Sequence, residues 1–263
     1  MNLLKKSDFI ILLIHGFCGS SLNNKILEDN FIKDGFDVLS FDLPGHGEDY
    51  ENFNKADWKD WLKEVEDQFD KIKSYKYIIL IGFSMGANLA LILYSKLDLF
   101  YQKKIKIILL SPAFSANKKF FPNLLNVIIG YLFNRSYKIK STNPGCNSTN
   151  YKKYYKNYIS FISAKRFLDL YILINKAKKL IGKVDSPILI FHSKKDILSS
   201  YSESLKIFKK LRSTFKVFIS LKKSNHFIQL DFERNIVYEL SKLFIENDFD
   251  QFKSNEKVKA YLK

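Results

Sequence analysis

The sequence places a serine between two glycines at a spacing that suits a nucleophile. Gly82-Phe83-Ser84-Met85-Gly86 follows the apolar run Tyr77–Ile81 and precedes the helical stretch Ala87–Tyr94. On a sharp strand-to-helix turn the serine adopts a strained backbone conformation, so the residues two before and two after it must be very small. Its hydroxyl then projects at a helix N-terminus, where the dipole favours developing negative charge. The pattern predicts Ser84 as a nucleophile; the alternative is a glycine-rich turn that packs a helix against a strand.

A serine nucleophile needs a base, and the chain has four histidines, at positions 15, 46, 192 and 226. When the serine lies on this kind of turn, the acid and the histidine follow it along the chain. This order leaves His192, which ends a predicted strand and is expected to be structural, and His226. His226 lies in a loop after the last predicted strand, and loops at the carboxyl ends of parallel strands present functional groups. We therefore predict His226 as the base.

The orienting acid is expected in the loop that follows the preceding strand. Asp196 lies there, directly after Phe191-His-Ser-Lys-Lys. Asp185 precedes that strand and Asp231 follows the histidine, so neither has the required position. The alternative for Asp196 is a solvated turn or a helix-capping aspartate. We predict Asp196 as the acid that holds the imidazole tautomer.

Attack on a carbonyl also requires hydrogen-bond donors for the oxyanion that forms. The backbone N–H of Met85, directly after the serine, is one predicted donor. The second is expected from His15-Gly16-Phe17, which follows the first predicted strand. We predict the N–H of Phe17 as this donor and a structural role for His15, which shapes the turn.

Short β-branched runs alternate with amphipathic stretches along most of the chain. The runs of strand length are Phe9–Ile14, Val38–Leu43, Tyr77–Ile81, Ile105–Leu110, Ile188–Phe191 and Phe215–Leu221. The predicted helices between and after them are Lys25–Lys33, Trp58–Ile72, Ala87–Tyr94, Ser202–Leu211 and Ile236–Ile245. All strands but the last are continuously apolar, which is typical of parallel strands covered on both faces. The alternation predicts an α/β fold with a doubly wound, mostly parallel sheet.

The alternation stops between Ser111-Pro112 and Ser186-Pro187. We predict a helical cap insertion at residues 113–185 over a core formed by residues 1–112 and 186–263. The predicted cap helices are Leu124–Phe133, Tyr154–Phe161 and Leu168–Ile181. Cap aromatics are candidates to line an apolar pocket, although aromatic residues at helical spacing are more often core: Phe120, Phe121, Tyr131, Phe133, Tyr154, Tyr158 and Phe161.

The formal net charge of +16 comes almost entirely from lysine. Because arginine is the residue suited to bidentate phosphate recognition and is scarce here, we interpret the lysines as a solvated coat and predict no specific nucleic-acid partner. Cys18 and Cys146 form neither a disulfide framework nor a metal site. No apolar stretch reaches the ~18 residues of a membrane-spanning helix. We expect no transmembrane segment and a cytoplasmic location; the oligomeric state stays open.

These motifs together resemble the α/β-hydrolase superfamily, and more closely the bacterial carboxylesterases and monoacylglycerol lipases. The resemblance covers the chain from Phe9 to about Ile245, with the cap the least similar part. It rests on His15-Gly16-Phe17, Asp42-Leu-Pro-Gly-His-Gly47, Gly82–Gly86, Asp196 and Ser224-Asn-His226-Phe-Ile-Gln-Leu-Asp231. Asn225 and Ala87 stand where that family often has glycine.

The resemblance implies the α/β-hydrolase fold and a serine esterase without cofactor or metal. It further implies cleavage of short- to medium-chain acyl esters or monoacylglycerols through an acyl-enzyme on Ser84. The expected partner is a small-molecule ester or lipid substrate. Within enzymes the alternative is a lysophospholipase or thioesterase, because a lysine-rich surface attracts phosphate or coenzyme A. An alternative of another class is a nucleic-acid- or membrane-surface-binding protein on a hydrolase scaffold.

Overall fold

Six parallel strands form the central sheet of the computed structural model, which describes residues 6–115, 117, 121–138, 145–155 and 161–261. The strands are β1 (Phe9–Ile14), β2 (Asp37–Ser40), β3 (Tyr77–Phe83), β4 (Ile105–Leu110), β7 (Ile188–Ser193) and β8 (Lys216–Leu221); β5 (Ser136–Lys138) and β6 (Phe161–Ser163) lie between β4 and β7 in the sequence. Their order across the sheet is β2-β1-β3-β4-β7-β8, and every neighbouring pair is parallel. All carboxyl ends therefore meet at one edge.

Both faces of the sheet are covered, which explains the continuously apolar strands. Along β1, Ile10, Leu12 and Ile14 belong to one hydrophobic cluster, whereas Phe9, Ile11 and Leu13 belong to the other. Side chains alternate between the two faces of a strand, so a strand buried on both sides must be apolar at every position. The edge strand β8 alternates between buried and half-buried residues, as its less uniform sequence predicts.

Helices pack on both faces and connect the parallel strands. The core helices are α1 (Lys25–Lys33), α2 (Tyr50–Lys55), α3 (Trp58–Ile72), α4 (Met85–Lys96), α5 (Leu99–Gln102), α8 (Tyr201–Lys210), α9 (Arg234–Glu246), α10 (Phe249–Ser254) and α11 (Glu256–Tyr261). The long helix α3 begins with a capping box, because the carboxylate of Asp57 accepts the N–H of Asp60 and the carboxylate of Asp60 accepts the N–H of Asp57. Such caps satisfy backbone donors that a helix start leaves without intrahelical acceptors.

Each predicted core strand and helix is present. The ends of β1, β4, α1 and α3 are as predicted, and those of the other predicted core elements differ by one to three residues. The predicted strand Val38–Leu43 is β2 and ends at Ser40, before the turn that contains Pro44. The predicted helix Ala87–Tyr94 begins two residues earlier, at Met85, directly after the serine. The short helices α2, α5, α10 and α11 were not predicted, because four to six residues are too few to show a helical period.

The region between β4 and β7 contains two helices and a small hairpin. Helix α6 (Leu124–Leu132) and helix α7 (Ala164–Leu180) pack against each other, and α7 also packs on α4. Strands β5 (Ser136–Lys138) and β6 (Phe161–Ser163) form an antiparallel pair. The predicted helix Tyr154–Phe161 was wrong at its ends: Tyr154 lies in a 3-10 helix, Thr149–Tyr155, and Phe161 begins β6, whereas 156–160 lie outside the described residues.

His15 joins the turn after β1 to the loop after β2. Its Nε2 accepts the N–H of Leu43 at 2.9 Å, and its Nδ1 donates to the carbonyl of Gly16 at 2.9 Å. The imidazole is fully buried and lies 5.0 Å from the ring of His46. Burial lowers the pKa of His15 to about 4, although the Gly16 carbonyl and Asp42 favour the charged form. The structural role predicted for His15 agrees with these contacts.

No helix in the described part of the chain is both long enough and apolar enough to cross a membrane.

We predict that His15 makes the protein sensitive to acid. A folded-state pKa near 4 lies below the ordinary 6.5, so between these values the unfolded chain binds a proton that the folded chain does not. The stability that depends on neutral His15 is complete above pH 6.5 and decreases by about 3 kcal/mol as the pH falls towards 4. Urea unfolding of wild type and His15→Gln at several pH values measures this loss.

The His15→Gln variant should be less stable at pH 7.5 and lose less stability on acidification than wild type. Phe53→Leu is the matched control, because Phe53 is buried beside His46 and does not titrate. Its pH profile should run parallel to that of wild type. Parallel profiles for His15→Gln and wild type would contradict the prediction.

Candidate active site

Ser84 lies at the turn between β3 and α4 in a backbone conformation that residues with a side chain rarely adopt, with φ 54° and ψ −114°. A Cβ at Gly82 would lie 2.5 Å from the carbonyl oxygen of Gly86, and one at Gly86 would lie 2.3 Å from that of Ile14. Only glycine fits at both positions. The Ser84 N–H donates to the carbonyl of Leu110 at 2.9 Å, which fixes the turn to the neighbouring strand.

The structure brings His226 to Ser84 across 142 residues of sequence. His226 follows β8 and Ser84 follows β3, and both strands end at the same edge of the sheet. The hydroxyl of Ser84 lies 3.0 Å from Nε2 of His226, within reach of a proton transfer. The rings of Phe83 and Phe227 lie beside the imidazole, at centroid distances of 5.1 and 5.8 Å. This packing keeps the imidazole in one orientation.

Asp196 holds the other side of the imidazole. Nδ1 of His226 donates to Oδ2 of Asp196 at 2.8 Å, which leaves Nε2 free to accept the serine proton. The carboxylate side chain is fully buried. Its Oδ1 accepts the N–H groups of Leu198 and Ser199 at 2.8 and 2.9 Å, and Oδ2 also accepts the Ser199 hydroxyl at 2.8 Å. Both oxygens are thus fixed by the loop after β7.

A second histidine contacts the same carboxylate. Nε2 of His192, at the end of β7, lies 3.0 Å from Oδ2 of Asp196, and its ring is fully buried. Burial alone would raise the pKa of Asp196, but His226 and His192 outweigh it and hold that pKa below its ordinary value. The acid is therefore ionised across the neutral range. The position of His192 in a strand predicts a structural role but not the partner of its ring; the four-residue spacing to Asp196 is the available signal.

Asn225 ties the loop of the base to the loop of the acid. Its Oδ1 accepts the N–H of His226 at 2.9 Å and that of Ile197 at 3.1 Å. The family often has glycine at this position, and glycine has no side chain to make these bonds. The replacement of glycine by Asn225 is visible in the sequence, but the role of its side chain is not.

Asp231 fixes the same loop and also binds the segment between β4 and β7. Its buried carboxylate accepts the N–H of Asn225 at 2.7 Å, of Phe232 at 2.9 Å, of Asn147 at 3.0 Å and of Ser148 at 3.1 Å. These are backbone donors, and His226 binds Asp196 instead. The geometry agrees with the prediction that Asp231 is not the orienting acid.

The predicted oxyanion donors flank the serine. Met85 is the first residue of α4, and the first N–H groups of a helix have no intrahelical acceptor. Phe17 follows Gly16, where a Cβ would lie 3.0 Å from Cβ of Ser84. The turn after β1 thus approaches the serine as closely as the backbone permits. The assignment of the Phe17 and Met85 N–H groups as oxyanion donors stays a prediction.

A cavity opens beside Ser84 and His226. Apolar side chains from the core and from α7 form much of its wall: Phe17, Phe121, Leu170, Ile174, Leu198 and Phe227. Among the described cap aromatics proposed as lining residues, only Phe121 reaches the cavity. Tyr131 and Phe133 are exposed instead, because α6 turns Val127 and Gly130 towards the protein. Phe161, at the start of β6, is also exposed. Phe120 and Tyr158 lie outside the described residues.

Sequence comparison agrees with this geometry. The profile of the family described as "Serine aminopeptidase, S33" matches residues 5–233. The thermostable monoacylglycerol lipase of Bacillus sp. (strain H-257) is 28% identical over 233 residues, which are 88% of each chain. The carboxylesterase of Bacillus subtilis (strain 168) is 24% identical over 246 residues, 92% of this chain and 94% of that one.

Structural comparison shows the same fold. The crystal structure of a soluble variant of monoglyceride lipase from Saccharomyces cerevisiae superimposes with a TM-score of 0.77 at 19% identity, over 97% of this chain and 90% of that one. At this identity the likeness concerns the fold alone, and it confirms the predicted α/β-hydrolase architecture. The family profile covers most of the chain, including β1, the Ser84 turn and the histidine loop. The chain therefore belongs to the serine aminopeptidase S33 family of α/β-hydrolases.

Proposed function

We propose that the protein is a serine hydrolase that cleaves carboxylic esters of short- to medium-chain acids, or monoacylglycerols, through an acyl-enzyme on Ser84. The hydrogen-bonded series from Ser84 through His226 to Asp196 is the observation that carries this proposal. It opens into an apolar cavity that suits an acyl chain. The likeness to a monoacylglycerol lipase and a carboxylesterase supports the same substrate class.

The reaction follows from the roles of these groups. His226 takes the proton of Ser84 through Nε2 as the serine oxygen attacks the ester carbonyl. Ionised Asp196 stabilises the imidazolium that results. The N–H groups of Phe17 and Met85 stabilise the oxyanion, a contribution of about 3 kcal/mol for each donor. His226 then protonates the departing alcohol, and a water molecule repeats the sequence and releases the acid.

The cavity favours an ester over a peptide with a free N-terminus, although the family description names an aminopeptidase. Binding a terminal ammonium group requires a carboxylate that faces the substrate. Among the described residues that line the cavity, none is acidic. The acid nearest the serine, Asp196, is fully buried and bonded to two histidines. The walls therefore suit an uncharged acyl chain.

We also propose that residues 113–185 act as the cap of this cavity. Helix α7 supplies Leu170 and Ile174 to its wall, and the segment before α6 supplies Phe121.

The matches to esterases and lipases do not favour a binding protein without activity on a hydrolase scaffold. A cytoplasmic location is part of this proposal and stays a prediction.

We predict that Ser84→Ala lowers the hydrolysis of p-nitrophenyl butyrate at least about a thousandfold and leaves the thermal transition nearly unchanged. Alanine removes only the reacting oxygen from this turn. Ser115→Ala is the matched control, because Ser115 lines the same cavity and has no hydrogen bond to His226 among the described contacts. A fluorophosphonate probe should label wild type at Ser84 and leave Ser84→Ala unlabelled. Wild-type turnover by Ser84→Ala, or labelling elsewhere, would refute the assignment.

We predict that Asp196→Asn lowers kcat by about 10³- to 10⁴-fold with little change in KM, because the imidazole loses its tautomer and its counter-charge. The exposed Asp185, which precedes β7, provides the control substitution Asp185→Asn. That variant should turn over at the wild-type rate. Equal rates for the two variants would remove Asp196 from the mechanism.

We predict that uncharged acyl esters are turned over and that amino-acid p-nitroanilides are not. A panel of p-nitrophenyl esters of increasing acyl length, together with monoacylglycerol and leucine p-nitroanilide, measures kcat/KM for each class. The apolar wall should give a maximum at short to medium chains. Faster turnover of the anilide than of any ester would overturn the ester assignment.

A further inference from the structure

Helix α6 has apolar residues around most of its circumference, yet most of it is exposed. Its sequence, Leu-Leu-Asn-Val-Ile-Ile-Gly-Tyr-Leu, contains no charged residue. A helix of this composition is normally buried on all sides. Only Val127 and Gly130 of α6 are buried. Leu125, Leu132 and the following Phe133 expose 66%, 72% and 69% of their surface.

The fold holds α6 firmly in this orientation. The Asn123 side chain caps the helix by accepting the N–H of Asn126 at 2.8 Å. The Tyr137 hydroxyl donates to the carbonyl of Asn126 at 2.6 Å. A Cβ at Gly130 would lie 3.1 Å from Cβ of Ala164, so α6 and α7 approach as closely as glycine permits. The exposed side of α6 is therefore a fixed face.

We define the outer face of the cap as the exposed apolar side chains of α6 and its hairpin, with the two cations beside them. Its apolar members are Leu124, Leu125, Ile128, Ile129, Tyr131, Leu132, Phe133 and Phe161. The guanidinium of Arg135 lies 5.5 Å from the ring of Phe133, and the ammonium of Lys138 lies 5.6 Å from the ring of Phe161. Single exposed apolar residues are ordinary, but a contiguous group marks an interaction surface.

The positive charge of the protein is concentrated in the segment of sequence that contains α6. Residues 113–185 contain fourteen Lys and Arg and two Asp, so this segment carries +12 of the +16. No acidic residue occurs anywhere from Leu99 to Leu168. Arg166 is buried and paired with Asp169 at 3.0 Å, but Arg135 and Lys138 are exposed. The interpretation of the lysines as a solvated coat therefore describes the nearly neutral core better than the segment 113–185.

We propose that the outer face of the cap docks on lipid surfaces that bear anionic headgroups. The apolar side chains of α6 enter the boundary between headgroups and acyl chains, and Arg135 and Lys138 bind the phosphates above them. This is the arrangement by which amphipathic segments lie on a membrane without crossing it. Basic residues next to an anionic surface contribute about 1 kcal/mol each, or roughly fivefold in affinity.

The apolar side chains and the cations together favour an anionic lipid surface over a nucleic acid or a second copy of the chain. A nucleic acid would pair with the cations but would leave the leucines and phenylalanines without an apolar partner. A second copy of the chain would cover the apolar side chains but would bring two strongly positive caps together, and like charges oppose such contact. An anionic lipid surface satisfies both parts of the outer face.

Docking places the cavity near its source of substrate. Helix α6 packs on α7, and α7 supplies Leu170 and Ile174 to the cavity wall. One helix thus separates the lipid surface from the wall of the acyl site. That closeness to substrate matters only if the protein is the proposed ester hydrolase, whereas the docking itself does not require turnover.

Flotation of the protein with phosphatidylcholine vesicles, with and without 30–50% phosphatidylglycerol, tests the proposal. Wild type and Ser84→Ala should both bind the anionic vesicles at low salt and bind pure phosphatidylcholine at least about tenfold more weakly. Leu132→Asp/Phe133→Asp should lower binding to anionic vesicles at least about tenfold. Arg135→Glu/Lys138→Glu should do the same, and 0.5 M salt should weaken wild-type binding.

Matched control substitutions lie on the opposite edge of the core. Leu99 and Phe100 in α5 are exposed to 72% and 62%, and the ammonium of Lys104 lies 4.4 Å from the Phe100 ring. Leu99→Asp/Phe100→Asp should bind vesicles like wild type. Both cap double variants should hydrolyse monomeric p-nitrophenyl butyrate within about twofold of wild type. A failure of docking is thereby distinguished from a failure of the proposed activity.

Several outcomes would overturn the proposal. One is the absence of wild-type binding to anionic vesicles, and another is an equal loss in the cap and α5 variants. A third is tighter binding to poly(U) than to vesicles, with the Leu132→Asp/Phe133→Asp variant unaffected. A fourth is a dimer in sedimentation velocity that this variant converts to a monomer, without vesicle binding by either protein.

Discussion

The hydrogen bond between Ser84 and His226 depends on how closely three backbone segments approach at the carboxyl edge of the sheet. Gly82 and Gly86 allow α4 to begin against β1, since a Cβ at Gly86 would lie 2.3 Å from the Ile14 carbonyl oxygen. Gly16 lets the turn after β1 reach the serine. If these contacts were relaxed, Ser84 would move away from a histidine whose loop is held by Asn225 and Asp231. The strained turn is thus the condition for the rest of the site.

Much of the fold and the central pair of residues could be predicted because their signals are local. The Ser84 turn is determined by five consecutive residues, and the burial of β1 on both faces is recorded in its uninterrupted apolar sequence. His226 followed from the order of elements in a parallel sheet. Strand ends were less accurate: β2 stops at Ser40, although apolar residues continue to Leu43.

The remaining features depend on contacts between segments far apart in sequence. Asn225 accepts the N–H of Ile197, and no pattern in either loop indicates that the other lies within 3.1 Å. The direction in which α6 faces could not be predicted either. A helix that is apolar on every side gives no periodic signal for the side that the protein covers. Tyr131 in α6 and Phe133 directly after it were expected in the cavity and are exposed for this reason.

The segment between β4 and β7 thus has two sides with different chemistry. Its inner side, through α7, forms part of an apolar cavity beside the serine. Its outer side, through α6, is apolar and bordered by cations. The rest of the chain carries nearly balanced charge. The proposed docking on a lipid surface and the proposed ester hydrolysis therefore involve different layers of the same chain.

Asp231 connects the two layers, because its carboxylate holds a loop from each of them. One carboxylate accepts N–H groups from Asn147 and Ser148 in the cap and from Asn225 beside the histidine. Exchange of residues 113–185 for the corresponding segment of a relative would therefore change the loop that supplies two of the four N–H donors of that carboxylate. Such a chimera should keep residues 145–148 of this protein. Otherwise the exchange changes the loop of His226 as well as the acyl pocket.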